Sequence, residues 1–302
     1  MLLEGRRLMR QSVRLARAEM GSRRRDTLPI SRATADRKTL EVAWAAMFFK
    51  RTDISAKGFL APEVESARRQ VRAELAASVT KAEAVSDRVT AYLFSADVSG
   101  YAEHEILALA FWIRCLGTCQ GGFLLAERGM ASEALVLLRS AFEFLFYGAA
   151  SLADPSVFKS LVNGHDFERR KQARAMIQEG SQGGHLTVDQ IALLRQVEAE
   201  VDEPKAALDA YAAAQRADLG YLYATAYRGL SMMAVHATMA GTDSVLNEQP
   251  DGTAQAVFGP SMRNVQFAFE LIASCLEIGE KRFTPLLYRN PRRSMPDALK
   301  KT

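Results

Sequence analysis

The sequence predicts an all-α protein, a multi-helix bundle around a buried central helix, with a short loop or hairpin near residues 241–260. Residues 133–155 are apolar on every side between the charged ends Glu133 and Asp154, except at Arg139 and Glu143, and a helix of this kind is usually buried inside a bundle. The segments around it repeat apolar residues at steps of three and four, which is typical of helices packed on a core. No Gly-rich phosphate loop, Gly-x-Ser-x-Gly elbow or metal-protease signature is present.

Between residue 39 and the central helix the sequence predicts three helices. Residues 39–50 form a short apolar helix, and residues 63–94 form one long charged helix, which typically lies outside a bundle. Residues 106–126 are apolar apart from Arg114 and lead into the central helix through a short loop. The two apolar helices are each close to the length that spans a membrane. Three charged residues fall inside these helices, and placing each of them near the centre of a bilayer would cost about 2.5–3.5 kcal/mol. We therefore expect a buried hairpin and no membrane insertion.

The second half continues the helical pattern. Asp154-Pro155 ends the central helix, and a charged helix then runs to Gly180. A polar helix capped by Thr187 and a short alanine-rich helix after Pro204 follow. A core stripe at steps of three and four predicts a continuous helix from residue 218 to about 238, and the last helix covers residues 261–282.

Charge is distributed unevenly along the chain. Residues 1–38 carry eleven basic and four acidic residues, a net charge of +7, and residues 289–302 carry +4, so the body between them carries −7. We therefore divide the chain into a basic, partly ordered N-terminal segment (1–38), a helical layer (39–98), a bundle core domain (99–288) and a basic tail (289–302). Arginine runs bind phosphate without reading sequence, so the ends are candidates for contact with RNA or another polyanion.

The first twenty residues resemble an amphipathic, arginine-rich helix without the apolar core of a secretory signal. Three interpretations remain: a poorly packed tail over residues 1–30, a contact for nucleic acid or an anionic surface, and a start codon assigned too far upstream. The chain has three cysteines, Cys115, Cys119 and Cys275, which suit a reducing compartment better than a disulfide framework. We expect a cytoplasmic protein.

The cysteines also bear on metal binding. Cys115 and Cys119 share a helix face, but two ligands are too few for zinc and no Cys or His stands beside them in the sequence. The sequence thus predicts packing cysteines, no metal and no cofactor.

The candidate site begins with the two charges of the central helix. Arg139 and Glu143 lie one helical turn apart and can touch, and a buried unpaired charge would cost several kcal/mol. Tyr227, Arg228, Ser231 and His236 are the polar residues of the helix that follows residue 218, so they are the natural partners. The candidate catalytic residues are Arg139, Glu143, Arg228, Ser231 and His236. The alternative is a buried ion pair that only fixes helix register.

Two motifs carry a resemblance to a known family. They are L-L-R-S-A-F-E around Arg139 and Glu143, followed by Asp154-Pro155, and Y-R-G-L-S-M-M-A-V-H around Ser231 and His236. Together they resemble, over about residues 100–285, the bacterial helical family known as domain of unknown function 5677. That family looks distantly like the HEPN helical domains, several of which cleave RNA in toxin and anti-phage systems and often form homodimers.

The resemblance implies a specific role for two residues. HEPN nucleases carry an Arg, four to six residues and then a His on one helix, where the Arg holds phosphate and the His assists attack by the 2′-hydroxyl. Here seven residues separate Arg228 from His236, a rotation of about 80° on a regular α-helix. Domains that have lost this spacing are commonly binding or scaffold modules.

Three functions are therefore compatible with the sequence. The first is a nucleic-acid-associated stress or defence module, an HEPN-like ribonuclease if it is an enzyme. The second is a non-enzymatic scaffold or protein-interaction module in which the polar residues lock helices together. The third is a pocket for a small ligand between the central helix and the Tyr227 helix. The first two interpretations place Arg139 and His236 at one polar site.

Overall fold

The computed structural model describes residues 57–199, 208–235, 239–242, 245–248, 254–256 and 258–289. The predicted segment at 1–38, the helix at 39–50, His236 and residues 290–302 of the basic tail lie outside these ranges. The predictions made for them, including a shared site for Arg139 and His236, stay predictions.

The described residues form an all-α bundle, as predicted. A 3-10 turn at Gly58–Leu60 precedes the first helix. The long helices are α1 (Val64–Glu74), α2 (Ala76–Ser95), α3 (Glu103–Ala126), α4 (Ala131–Ala153), α5 (Ser156–Gln182) and α6 (Val188–Ala199). The short α7 (Ala210–Arg216) leads into residues 220–235, which we call the interrupted helix, and then come α8 (Met239–Thr242), β1 (Leu246–Glu248), β2 (Ala254–Ala256) and α9 (Val265–Leu287).

Helix α4 is the central helix, as its composition predicts. It packs along α3 as an antiparallel hairpin, and α9, α7 and the interrupted helix lie against it. Leu138, Phe142 and Phe146 are fully buried on α4. The helix ends before Asp154, because the backbone of Asp154 is extended and Pro155 follows it. Both α3 and α4 are long and apolar enough to cross a membrane, a property that buried core helices of soluble proteins share.

Helices α3 and α9 approach closely around a large aromatic side chain. Trp112 of α3 is buried and stacks on Phe283 of α9, with ring centroids 5.0 Å apart and planes 6° from parallel. The ring lies over Gly279, where a Cβ would stand 2.1 Å from the indole Cη2 atom. Residue 279 therefore has to be glycine for the two helices to pack at this distance.

The predicted helix over residues 63–94 is wrong in one respect, because the structure divides it at Leu75. The backbone of Leu75 leaves the helical region (φ −112°, ψ 28°), which separates α1 from α2. The predicted apolar stripe still forms one packed face, since Val71, Val79 and Val85 are buried in the common core. Helices α1 and α2 thus pack on the bundle through one apolar face, as helices of an outer layer do.

A buried carboxylate attaches α1 to the end of α3. Glu127 is almost wholly buried, and its Oε2 accepts hydrogen bonds from Arg72 (2.8 Å) and Arg68 (3.3 Å). Its Oε1 accepts one from Arg128 at 3.0 Å. These charged donors compensate for the loss of water around the carboxylate. The local sequence predicts only a loop here, so this anchor was missed.

The region near residues 241–260 contains a short antiparallel hairpin. Strands β1 and β2 pair with Leu246 opposite Ala256 and Glu248 opposite Ala254. The predicted loop or hairpin at this place is therefore confirmed as a hairpin of two three-residue strands.

Candidate functional site

Four of the six polar residues singled out in the sequence form one hydrogen-bond network between α4 and the interrupted helix. Arg139 donates from Nη1 to Glu143 Oε2 at 2.6 Å, from Nη2 to the Tyr227 hydroxyl, and from Nε to Ser231 Oγ at 3.5 Å. Tyr227 in turn donates to Glu143 Oε2 at 3.1 Å. All three nitrogen atoms of the Arg139 guanidinium thus donate to a partner on α4 or on the interrupted helix. The sequence predicts Tyr227 and Ser231 as two of these partners.

Arg139 also packs against the aromatic ring of its partner. Its guanidinium carbon lies 4.5 Å from the centroid of Tyr227, within the range of a cation–π contact. Burial and the neighbouring Glu143 carboxylate raise the pKa of Tyr227 above its ordinary value. The phenol therefore stays protonated at neutral pH and can donate its hydrogen bond.

The ion pair is less buried than its sequence context predicts. The side chains of Arg139 and Glu143 are 25% and 29% exposed, so solvent reaches both. The prediction of a buried pair is wrong because these two positions lie on the side of α4 that the interrupted helix covers only in part. The pair is consequently screened by water more than a core pair would be.

The structure separates Arg228 from this network. Arg228 follows Tyr227 directly but is exposed, because successive residues point to different sides of a helix. The expectation that it pairs with Arg139 or Glu143 is therefore not met. His236 lies outside the described residues, so the network contains four of the six polar residues singled out in the sequence.

The continuous α-helix predicted after residue 218 is interrupted twice. Tyr223–Tyr227 and Ser231–Val235 are π-helical, with short α-helical turns at Gly220–Leu222 and Arg228–Leu230. A π-turn holds one residue more than an α-helical turn, and such turns are frequent at functional sites. The wider turns keep Tyr223, Tyr227 and Ser231 in line along one face, where a regular helix would rotate them apart. The apolar stripe in the sequence does not predict these π-helical turns, because apolar residues at steps of three and four fit an α-helix as well as a π-helix.

A row of three tyrosines extends from the network to the surface. Tyr227 stacks on Tyr223 with centroids 5.0 Å apart, and Tyr223 meets Tyr211 of α7 edge to face at 5.3 Å. Tyr211 is 52% exposed at the outer end. We call these residues the tyrosine row. Sequence analysis missed it, since the contribution of α7 depends on how the helices pack.

The prediction that no third ligand stands beside Cys115 and Cys119 is wrong. Cys275 of α9 lies against them, and the Sγ atoms of Cys115 and Cys275 are 3.6 Å apart. All three Sγ atoms lie within 4.8 Å of one another, and all three residues are fully buried. Sequence distance hides this cluster, because Cys275 comes 160 residues after Cys115.

Comparison with protein families agrees with these motifs. Residues 105–253, about half of the chain, match the family described as "Family of unknown function (DUF5677)". Over this segment the chain belongs to that family. The matched residues contain the α3–α4 hairpin, the tyrosine row and the Arg139 network. Neither the curated proteins nor the solved structures give a match. The distant relationship of this family to HEPN domains stays a prediction.

Proposed function

We propose that the chain is an intracellular RNA-binding helical module that cleaves RNA in a stress or defence response. The observation that carries this proposal is the π-turn at Ser231–Val235, which lies between Arg228 and the sequence position of His236. A π-turn takes up one residue more than an α-helical turn. The seven residues between Arg228 and His236 include one such turn, so they correspond to six residues on a regular α-helix. Six lies within the four to six residues that separate Arg and His in HEPN nucleases.

The exposure of Arg228 supports a phosphate-binding role. Its guanidinium is outside the Arg139 network and faces solvent, where it can make a bidentate contact with a phosphate group. A histidine with a pKa near about 6.5 can accept the 2′-hydroxyl proton and return it at neutral pH. Arg139, Glu143 and Ser231 would act indirectly, by holding the interrupted helix on α4.

The tyrosine row supports binding of single-stranded RNA. Aromatic side chains stack on unpaired bases of any sequence, at about 1–3 kcal/mol per base. Tyr211 offers an exposed ring at the end of a row that finishes on Arg139. The basic ends of the chain add affinity for the RNA backbone that depends on salt.

Tyr211→Ala should weaken the binding of single-stranded RNA by about 5- to 100-fold, because it removes one stacking surface. Fluorescence anisotropy with a labelled, unstructured oligonucleotide at low salt measures this. Tyr221→Ala is the matched control, since Tyr221 is 48% exposed on the interrupted helix and is not a member of the tyrosine row. Equal losses for the two variants would exclude the tyrosine row as the binding surface.

His236→Ala and Arg228→Ala should each abolish RNA cleavage, whereas His236→Ala should leave RNA affinity within about twofold of wild type. Purified proteins are incubated with mixed cellular RNA, with and without magnesium, and the products are separated on a denaturing gel. Arg216→Ala serves as the control for loss of an exposed arginine near the site. Intact RNA in the wild-type lane would reject the nuclease proposal.

A scaffold function is the second candidate, and the closed Arg139 network favours it. The guanidinium already satisfies its donors with Glu143, Tyr227 and Ser231, so an external phosphate would have to compete with them. In that case the network fixes how the interrupted helix packs, and a partner protein or second copy of the chain would bind elsewhere. Wild-type protein that neither binds nor cleaves RNA would favour this function.

A further inference from the structure

The three buried cysteines have the geometry of a soft-metal site. Cys115 and Cys119 lie one turn apart on α3 and face Cys275 of α9, with all Sγ atoms within 4.8 Å. Three sulfur atoms bound at about 2.3 Å to one centre lie about 4 Å from one another. The thiols therefore need only small side-chain movements to bind a common ion. Thiolate ligands select soft, thiophilic ions over hard ones.

The surroundings of the cluster restrict the charge that it can hold. All three thiols are fully buried, and the groups that influence them electrostatically are the other two thiols. Cys119 accepts hydrogen bonds from both neighbours, which lowers its pKa, while burial raises the pKa of the other two thiols. Within the described part of the chain no cationic group influences these thiols, so a complex with a net negative charge would stay uncompensated, at a cost of several kcal/mol.

We propose that Cys115, Cys119 and Cys275 form a three-thiolate site for a trivalent thiophilic metalloid of the arsenite class. Three thiolates with a monovalent copper ion would carry two negative charges, and with zinc they would carry one. With arsenic(III) the complex is neutral. Arsenite is itself the neutral hydroxide As(OH)3 near neutral pH. Three As–S bonds replace three As–O bonds, and each hydroxyl leaves as water, taking the proton of its thiol or, where Cys119 is already ionised, a proton from solvent. The oxidation state of arsenic does not change.

A cavity that is open to solvent borders the cluster at Cys119. It has a volume of about 280 Å³ and is lined by Cys119 together with Phe123 and Leu276, and by Glu83 and Asp87. Glu83 is already paired with Arg72, which leaves the Asp87 carboxylate to disfavour anions, whereas a neutral hydroxide can enter. Of the three cysteines, Cys119 is the one that borders this cavity, so it would exchange the first hydroxyl before Cys115 and Cys275 displace the others.

The test is titration of the reduced, full-length protein with sodium arsenite. Native mass spectrometry should show one arsenic bound with loss of three protons per chain. The chain has three cysteines in total, so no other thiol competes. Cys275→Ser should keep the far-UV circular dichroism of wild type but weaken arsenite binding by more than about tenfold, since even changes outside the ligand shell cost 10- to 100-fold. Its complex should lose two protons and retain one hydroxyl.

The pH dependence separates this chemistry from metal-cation binding. Because the exchange releases no proton, and takes one up if Cys119 is already a thiolate, arsenite affinity should stay constant or fall between pH 6 and pH 8, whereas binding of Cu(I) or Zn²⁺ releases protons and tightens with pH. Absence of bound arsenic in the wild type would overturn the proposal. Equal affinity in Cys275→Ser, or binding of Cu(I) or Zn²⁺ without arsenite, would do so as well.

Discussion

Trp112→Ala should lower the free energy of unfolding by about 3–5 kcal/mol, the range for removing a large buried aromatic side chain. The indole is buried between α3 and α9, stacks on Phe283 and covers Gly279. Its loss leaves a cavity that the glycine opposite cannot fill. Urea denaturation followed by far-UV circular dichroism measures the effect. Phe94→Ala is the control, because Phe94 is 87% exposed at the end of α2 and should change stability by less than about 0.5 kcal/mol.

Gly279→Ala tests the same packing from the other helix. In wild type the added Cβ would stand 2.1 Å from Trp112, so we expect it to destabilise the protein by about 1–3 kcal/mol despite the better helix propensity of alanine. In the Trp112→Ala protein the methyl group has space, and the double variant should be more stable than the sum of the single effects predicts. Strict additivity would show that the two residues do not pack together.

Arg139→Ala should lower the free energy of unfolding by about 2 kcal/mol, because it leaves Glu143 without its cation and Tyr227 without a cation–π partner. Fully buried pairs cost about 3–5 kcal/mol when one partner is removed, and exposed pairs at most about 1 kcal/mol. At 25% and 29% exposure the Arg139 pair falls between these limits. The measurement is again urea denaturation, with the slope checked for unchanged two-state behaviour.

Lys171→Ala provides the matched control for this variant. Lys171 and Glu168 form a same-helix pair on α5, at 3.7 Å with side chains 68% and 61% exposed, and its loss should cost less than about 0.5 kcal/mol. A double-mutant cycle of Arg139→Ala and Glu143→Ala should give a coupling energy of about 1 kcal/mol. Coupling near zero would mean that the network does not hold the interrupted helix on α4.

The Arg139 variant also distinguishes the two candidate functions. In the nuclease proposal Arg139 positions the interrupted helix, so RNA cleavage should fall together with stability and recover in part at lower temperature. In the scaffold alternative the variant loses stability and no RNA activity exists to lose. RNA cleavage by a destabilised Arg139→Ala protein at the wild-type rate would separate the network from the catalytic residues.

Local composition was sufficient to predict the central helix, its end at Asp154-Pro155 and the contact between Arg139 and Glu143. Each of these features depends on residues within a few turns of one another, where helical periodicity and side-chain spacing decide the outcome. The packed face of α1 and α2 follows from the same periodicity, even though the break at Leu75 does not. The identity of Tyr227 and Ser231 as partners could also be inferred, because few polar residues stand on an otherwise apolar helix.

The remaining features depended on how distant helices pack. Cys275 joins Cys115 and Cys119 because α9 crosses α3 at that level, and Tyr211 completes the tyrosine row because α7 lies beside the interrupted helix. The exposure of the Arg139 pair and the π-turns around it are likewise set by the fit between helices. Periodicity states which face of a helix is apolar, but it carries no information about which residue of another helix that face will meet. The sequence by itself therefore determined the helices and their apolar faces, and the tertiary structure decided which polar and sulfur-containing side chains came together.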